Sequence, residues 1–282
     1  MTGTGPSNGN GGWSWRGIAA VTRRDLRIVR GSKPVIIPML IVPAVLLVAI
    51  PAAMVVTVRL GADAFDLGDI EAMLGALSPE VAARVTADPV AGIVEVALVY
   101  LLAPMLLIVP LMTASVIAAD AIAGERERQT LESLLLTPLT DRELYTAKLL
   151  SAWLPAAAVG VAGGIVYAAV AELTTIGLVE HRLFPNLVWA GLVLWVGPAI
   201  AAVSLGITVL VSARVRTVQE AFQLAGIVVL PVIALIVSQA AGVLVLSPVL
   251  VLIGGAVIWV VAALMLPAGA RAVSRTRLGE RL

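Results

Sequence analysis

The chain has 282 residues, of which 60% are hydrophobic, 13% charged and 4% aromatic, with a net charge of +1 and a mean hydropathy of +1.03. A soluble domain carries about 25% charged residues; polar groups this scarce exclude a cytosolic enzyme, a secreted disulfide scaffold and a disordered chain, and place much of the molecule in lipid. The absence of cysteine and the single histidine, His181, exclude disulfides, thiolate chemistry and multi-histidine metal sites, and the balanced charge gives no basic field for nucleic acid.

Residues 1–12, rich in Gly, Ser and Asn, read as a disordered tail. Residues 13–33 read as an amphipathic helix. Trp15, Ile18, Ala19, Thr22, Leu26 and Val29 recur at three- and four-residue steps, flanked by Arg16, Arg23, Arg27 and Arg30. Such a helix lies in the membrane interface, with Trp at headgroup depth and Arg reaching phosphates. It serves either as an anchor or as a connecting helix that carries motion from a cytoplasmic partner.

Residues 34–267 hold six apolar stretches of the roughly 20 residues that cross a bilayer: about 34–58, 93–119, 149–171, 187–211, 221–244 and 248–267. The expected fold is therefore an all-α integral membrane protein with six transmembrane helices, followed by a cytoplasmic tail, 268–282. The first stretch is too long and too far from the N-terminus for a signal peptide, and Pro38, Pro43 and Pro51 should kink it. The last two come from one apolar block broken near Ser247–Pro248; one span plus a re-entrant segment is the alternative. In the third stretch Ala156, Gly160 and Gly164 form a ridge of small residues that admits a close helix neighbour, within the chain or in a dimer.

Lys and Arg orient the chain. With the N-terminus inside, only Arg59, Arg84 and Arg182 of the 19 basic residues fall outside, so both termini face the cytoplasm. The outer loop after the first span is acidic, with Asp63, Asp66, Asp69, Glu71, Glu80 and Asp88, and reads as a solvated cap without calcium-loop spacing. Glu95 sits at the outer end of the second span, where it either snorkels or meets a substrate. Gln219, Gln223, Ser238 and Gln239 make the fifth span partly polar; they line a path or bond neighbouring helices.

The cytoplasmic loop after the second span is the most informative. Glu125, Arg128 and Glu132 form a charged ladder on a short helix, with Leu131, Leu134 and Leu135 on the opposite face. Thr137-Pro138 ends that helix, and Thr140-Asp-Arg-Glu143 has the spacing of a capping box for the next. The Leu ridge either packs back on its own bundle or meets a partner.

The run Gly124-Glu-Arg-Glu-Arg-Gln-Thr-Leu-Glu-Ser-Leu-Leu-Leu-Thr-Pro138, followed by Arg142-Glu143 and Lys148, resembles the signature of the type-2 permeases of ATP-binding-cassette (ABC) exporters, with Gln129 where Gly is usual. Arg24-Asp-Leu-Arg27 through Pro43 is similar to the opening of the same family. The resemblance implies the membrane subunit of an ATP-driven exporter. Two copies, as a homodimer, would pair with two cytoplasmic ABC ATPase subunits in a bacterial cytoplasmic membrane. The segment from Gly124 would be the coupling helix seated in the ATPase. Gly124, Glu125, Arg126, Glu127, Thr130, Leu131, Glu132, Leu134, Leu135, Thr137 and Pro138 would form that interface. The substrate path would run along the second and fifth spans, with Glu95, Gln219, Gln223 and Gln239 as candidate lining residues. ATP and Mg would be bound by the partner, and no cofactor by this chain.

A phosphate-binding loop needs a Gly-Lys pair. The two lysines, Lys33 and Lys148, follow Ser and Ala, so a motor of that kind must be another chain. A secondary carrier or channel is the alternative function, although the spans lack the buried carboxylates usual in ion coupling. No paired acids or Ser–His set supports an intramembrane enzyme. The sequence does not select the cargo: a mostly apolar path suits lipids, amphiphilic drugs or glycolipids, and members of the resembled family also handle ions and polysaccharides.

Overall fold

Inside lipid each backbone N–H and C=O must be satisfied without water, which restricts a spanning segment to a helix or a closed barrel. The computed structural model describes residues 14–61, 75, 77, 79–121, 140–212, 215, 217–241 and 243–272, and among them the regular elements are helical. The expected coupling segment, Gly124 to Pro138, lies outside the described residues, as do both chain ends and the outer acids Asp63, Asp66, Asp69 and Glu71.

Helix α1 (Trp15–Gly31) is capped by Ser14, whose hydroxyl accepts from the Gly17 amide at 3.3 Å. The first span is α2 (Lys33–Pro43), a π-helical stretch Ala44–Ala49 and α3 (Ile50–Arg59). Its prolines explain the interruption. Pro43 and Pro51 have no N–H for the carbonyls four residues earlier, and the wider π-turn between them absorbs the mismatch. Outside the membrane, α4 (Pro79–Ala87) turns back into α5 (Pro89–Val96). The second span continues through a π-turn (Ala97–Leu101) and a 3-10 stretch (Ala103–Leu107) into α6 (Ile108–Ala119).

The third span, α7 (Asp141–Thr175), has 35 residues. At 1.5 Å per residue it is about 52 Å long, well beyond the ~30 Å hydrocarbon core, so it projects into the aqueous phase. The fourth is α8 (Leu187–Gly191), a π-turn Leu192–Val196 and α9 (Gly197–Ser212). Then come α10 (Val218–Ala225), a 3-10 turn Gly226–Val229, α11 (Leu230–Ala240) and α12 (Pro248–Ala272).

Among the described residues, five helical paths are long and apolar enough to cross a membrane: Val35–Arg59, Pro89–Ala119, Arg142–Thr175, Leu187–Ser212 and Pro248–Leu266. The expected fifth span is divided, and its apolar helix Gly226–Ala240 is shorter. Pro231 withholds a donor from the Ile227 carbonyl just where the helix tightens to 3-10. The second and fourth paths are mostly buried, whereas Val35–Arg59 and Pro248–Leu266 present apolar faces outward. In a water-soluble fold those faces would be a liability; against acyl chains they are at home.

The third-span ridge packs within the chain. A Cβ on Gly160 would stand 2.9 Å from the Pro110 ring, and one on Gly164 would stand 2.5 Å from Val193. Ala156 is fully buried with Ala118 and Ala201 in the core cluster that also holds Val29 and Val35. Between α6 and α9, Ser204 donates to the Leu111 carbonyl at 2.9 Å and leaves its oxygen to accept from Ser115 at 2.5 Å. Such bonds tie helices together where apolar packing gives little preference over lipid.

Candidate functional site

At the end of the bundle that carries both stems of the segment 122–139, α1 packs along the start of α7. Its buried stripe is Ile18, Thr22, Asp25 and Val29, while Trp15 is exposed. The sequence stripe had omitted Asp25, because the helix rests on another helix and rotates to fit it. Thr140 and Glu143 close the expected capping box. The Thr140 amide and hydroxyl donate to Glu143 Oε2 at 2.9 and 2.7 Å, and the Glu143 amide donates to Thr140 Oγ1 at 3.4 Å. The other oxygen, Oε1, accepts from the Ser14 amide at 2.6 Å. One carboxylate thus caps α7 and holds the start of α1. Further along, the Thr22 hydroxyl donates to the Ala147 carbonyl at 3.2 Å.

Asp25 lies in the same contact. Burial pushes its carboxyl above the ordinary value of 3.8, opposed by Lys148, Arg24 and a bond to Ser151. Its Oδ2 has no hydrogen-bond partner. Lys148 donates to the Ala121 carbonyl at 2.9 Å, linking the start of the third span to the end of the second. The two stems of the segment 122–139 are therefore joined to each other, and one of them to α1.

The opposite end of the bundle has a second polar construction. Asp88 caps α5 by accepting from the Val90 and Ala91 amides, both at 3.1 Å. Pro89 follows at the first helical position, where its missing N–H is harmless. The hairpin is tight: a Cβ on Gly92 would lie 2.4 Å from the Val85 Cα. This closeness brings Arg84 to Glu95. Nε donates to Oε2 at 3.0 Å and Nη2 to Oε1 at 2.6 Å, a bidentate pair. The pairing raises the Arg84 guanidinium above its already high ordinary value. His181 Nε2 stands 3.4 Å from Glu95 Oε2. Glu95 is 5% exposed, so it is held within the protein and does not snorkel.

The loop carrying His181 is itself fixed. Glu172 Oε1 accepts from the Leu183 and Phe184 amides at 2.7 and 2.8 Å. Arg59 donates to the Thr174 carbonyl at 2.8 Å and to that of Ile176, which caps the outer end of α7. Sequence reasoning missed the Arg84–Glu95–His181 group. The available signal was Asp88-Pro89, a helix start that implies a reversal between Arg84 and Glu95.

The glutamines separate. Gln219 and Gln223 are exposed on α10, and Gln239 is fully buried on α11 with neither side-chain polar atom paired. The structure does not bring the three together with Glu95. Among the described residues no three His, Cys, Asp or Glu side chains are grouped to hold a metal ion.

A family model described as ABC-2 family transporter protein matches residues 19–252. No curated protein matches the chain. The match runs from within α1 to the first turn of α12 and takes in both stems of the segment 122–139, the α4–α5 hairpin and the divided helix, and it makes the chain a multi-pass membrane transport component that belongs to the ABC-2 family of transporter proteins.

Proposed function

We propose that the chain is the permease subunit of an ATP-driven exporter and works with a separate ABC ATPase. The observation that supports this most is the joined cytoplasmic end. Lys148 ties α7 to Ala121, and Glu143 ties α7 to Ser14. A force on the segment between the stems would then move the second span, the third span and α1 as one body. In this reading the segment from Gly124 to Leu136 is the coupling helix. Leu131, Leu134 and Leu135 enter a groove of the ATPase, and Glu125, Arg126, Glu127 and Glu132 make the polar contacts.

Two permeases, as a homodimer, pair with two ATPase subunits that bind ATP and Mg. The divided helix 218–240 is a sixth crossing, both termini are cytoplasmic, and the setting is a bacterial cytoplasmic membrane. Cargo passes between the second span and the divided helix, and Gln239 lies on that path. Glu95, locked to Arg84 and His181, holds the outer hairpin at the exit.

The test is Leu131→Asp and Glu132→Arg in the full chain, co-expressed with its proposed ABC ATPase partner. Both variants should insert into the membrane normally and lose ATPase co-purification. Unchanged assembly in both variants sinks the coupling assignment.

A further inference from the structure

Gln239 is the least expected side chain in the outer half of the bundle. It is fully buried, and neither its amide nitrogen nor its carbonyl oxygen meets a partner. Buried polar groups are paired in the great majority of proteins, and an amide sequestered in a membrane has no water to fall back on. A group kept at that cost calls for a reason.

Its surroundings supply one. Val228, Val232, Leu235, Ile236 and Gln239 recur at three- and four-residue steps, and the apolar four pack into the core cluster that holds Ala103 and Leu107. Helix α11 runs against both irregular stretches of the second span, Ala97–Leu101 and Ala103–Leu107. Those stretches lie near the middle of the Pro89–Ala119 path. There Pro104 has no N–H to give the Tyr100 carbonyl, and the Met105 amide bonds Leu102 at 3.0 Å in place of Leu101. The carbonyls of Tyr100 and Leu101 thus lose their helical donors beside the helix that carries the unpaired amide. Interrupted helices with released carbonyls at this depth are where transporters hold their cargo.

Charge is missing from the arrangement. Helix α11 has no ionisable residue, and Glu95 is taken up by Arg84 and His181. A Gln amide offers two donors and one acceptor, and the released carbonyls add acceptors. Such a set matches hydroxyls or amides, and it carries no full charge to pair with an ionic head.

We infer that Gln239, with the released carbonyls of Tyr100 and Leu101, is the recognition point for a neutral hydrogen-bonding head, a hydroxyl- or amide-bearing amphiphile. The inference rests on the permease reading above and narrows its cargo.

The experiment uses the full chain in lipid nanodiscs and follows thermal unfolding with two probes of equal tail length, octyl glucoside and octyltrimethylammonium, both below their micellar concentrations. Octyl glucoside should raise the midpoint more than the cation does. Gln239→Met, nearly the same volume without the amide, should weaken the glucoside response by about fivefold, the loss of one or two hydrogen bonds. Its unliganded midpoint should equal or exceed that of the parent, because an unpaired amide has been removed. Equal shifts from both probes in the parent overturn the inference. So does an unaltered glucoside response in Q239M, or an unliganded midpoint several degrees below the parent, which would mark the amide as a structural bond. ATPase co-purification is scored separately, so failure of the permease reading is distinguishable from failure of this one.

Discussion

Replacing Arg84 with Ala should destabilise the chain more than replacing Glu95 with Gln. In R84A the Glu95 carboxylate, with a side chain 7% exposed, stays buried with His181 Nε2 at 3.4 Å as its remaining polar neighbour. Breaking a buried pair from one side costs about 3–5 kcal/mol, and an exposed pair contributes about 0–1. The Arg84 side chain is 42% exposed, so screening by water brings the expected loss to about 2 kcal/mol. In E95Q the group left over is that half-exposed guanidinium, which water re-solvates and the Gln oxygen still accepts from, and the loss should be about 0.5–1 kcal/mol. The double variant buries no charge and should fall nearer E95Q than R84A. Thermal unfolding in nanodiscs reads the difference. At about 2–4 °C per kcal/mol for a chain of this size, R84A should drop by about 4–8 °C and E95Q by about 1–4 °C. Equal midpoints for the two single variants, or strictly additive losses in the double, would refute the idea that the buried carboxylate is the costly partner.

Glycine substitutions should rank by what the new Cβ meets. Gly92→Ala strikes the Val85 backbone at 2.4 Å and should open the outer hairpin; Gly160→Ala meets the stiff Pro110 ring at 2.9 Å and should cost about 1–3 kcal/mol; Gly163→Ala meets the flexible tip of Leu47 at 2.7 Å and should be mildest. The unfolding midpoints should follow that order, and an inverted ranking would count against the packing described. Ser204→Ala should cost about 1 kcal/mol, with S115A/S204A little worse, because the first change already strands the Ser115 hydroxyl; chemical denaturation of the two variants measures it. Asp25→Asn tests the α1–α7 contact by pH. A carboxyl raised by burial binds its proton more tightly when α1 is docked, so docking is strongest below the ordinary value of 3.8 and weakens as pH rises through the raised value. D25N should abolish that slope and raise the hydrogen-exchange protection factors of Trp15–Gly31 at neutral pH, and pH-independent protection factors in the parent, after correction for the intrinsic exchange rate, would contradict the reasoning.

Features that depend on neighbours in sequence were legible from residues alone. Thr140 and Glu143 are three apart and form their box; Ala156, Gly160 and Gly164 are four apart and form their close contact; Pro43 and Pro51 bracket the π-turn. Features that depend on tertiary placement were not. Gln219, Gln223 and Gln239 have the same chemistry, and only packing leaves two of them exposed and one sealed. Glu95 looked like an interfacial acid because the 59–92 segment read as a single solvated loop; helix α4 turns that loop back and delivers Arg84. Asp25 was placed off the apolar stripe, since hydropathy cannot anticipate that Lys148 and Ser151 would receive it.

The buried Tyr167 hydroxyl donates to the Leu98 carbonyl at 2.6 Å, on the irregular part of the second span. Elsewhere an interruption would be a free hinge, able to flex without reference to the rest of the bundle. Here one side of it is pinned to the third span, at a level far from the tie between Lys148 and Ala121. The two spans are thus fastened near one end and again past the middle, like parallel rods joined by two crosspieces with the weak joint of one rod next to the upper crosspiece. Under the proposed function, a tilt imposed at the Lys148 end would be resisted as sliding between them. It would be taken up as bending at residues 97–107, the stretch that α11 and its sealed glutamine overlook.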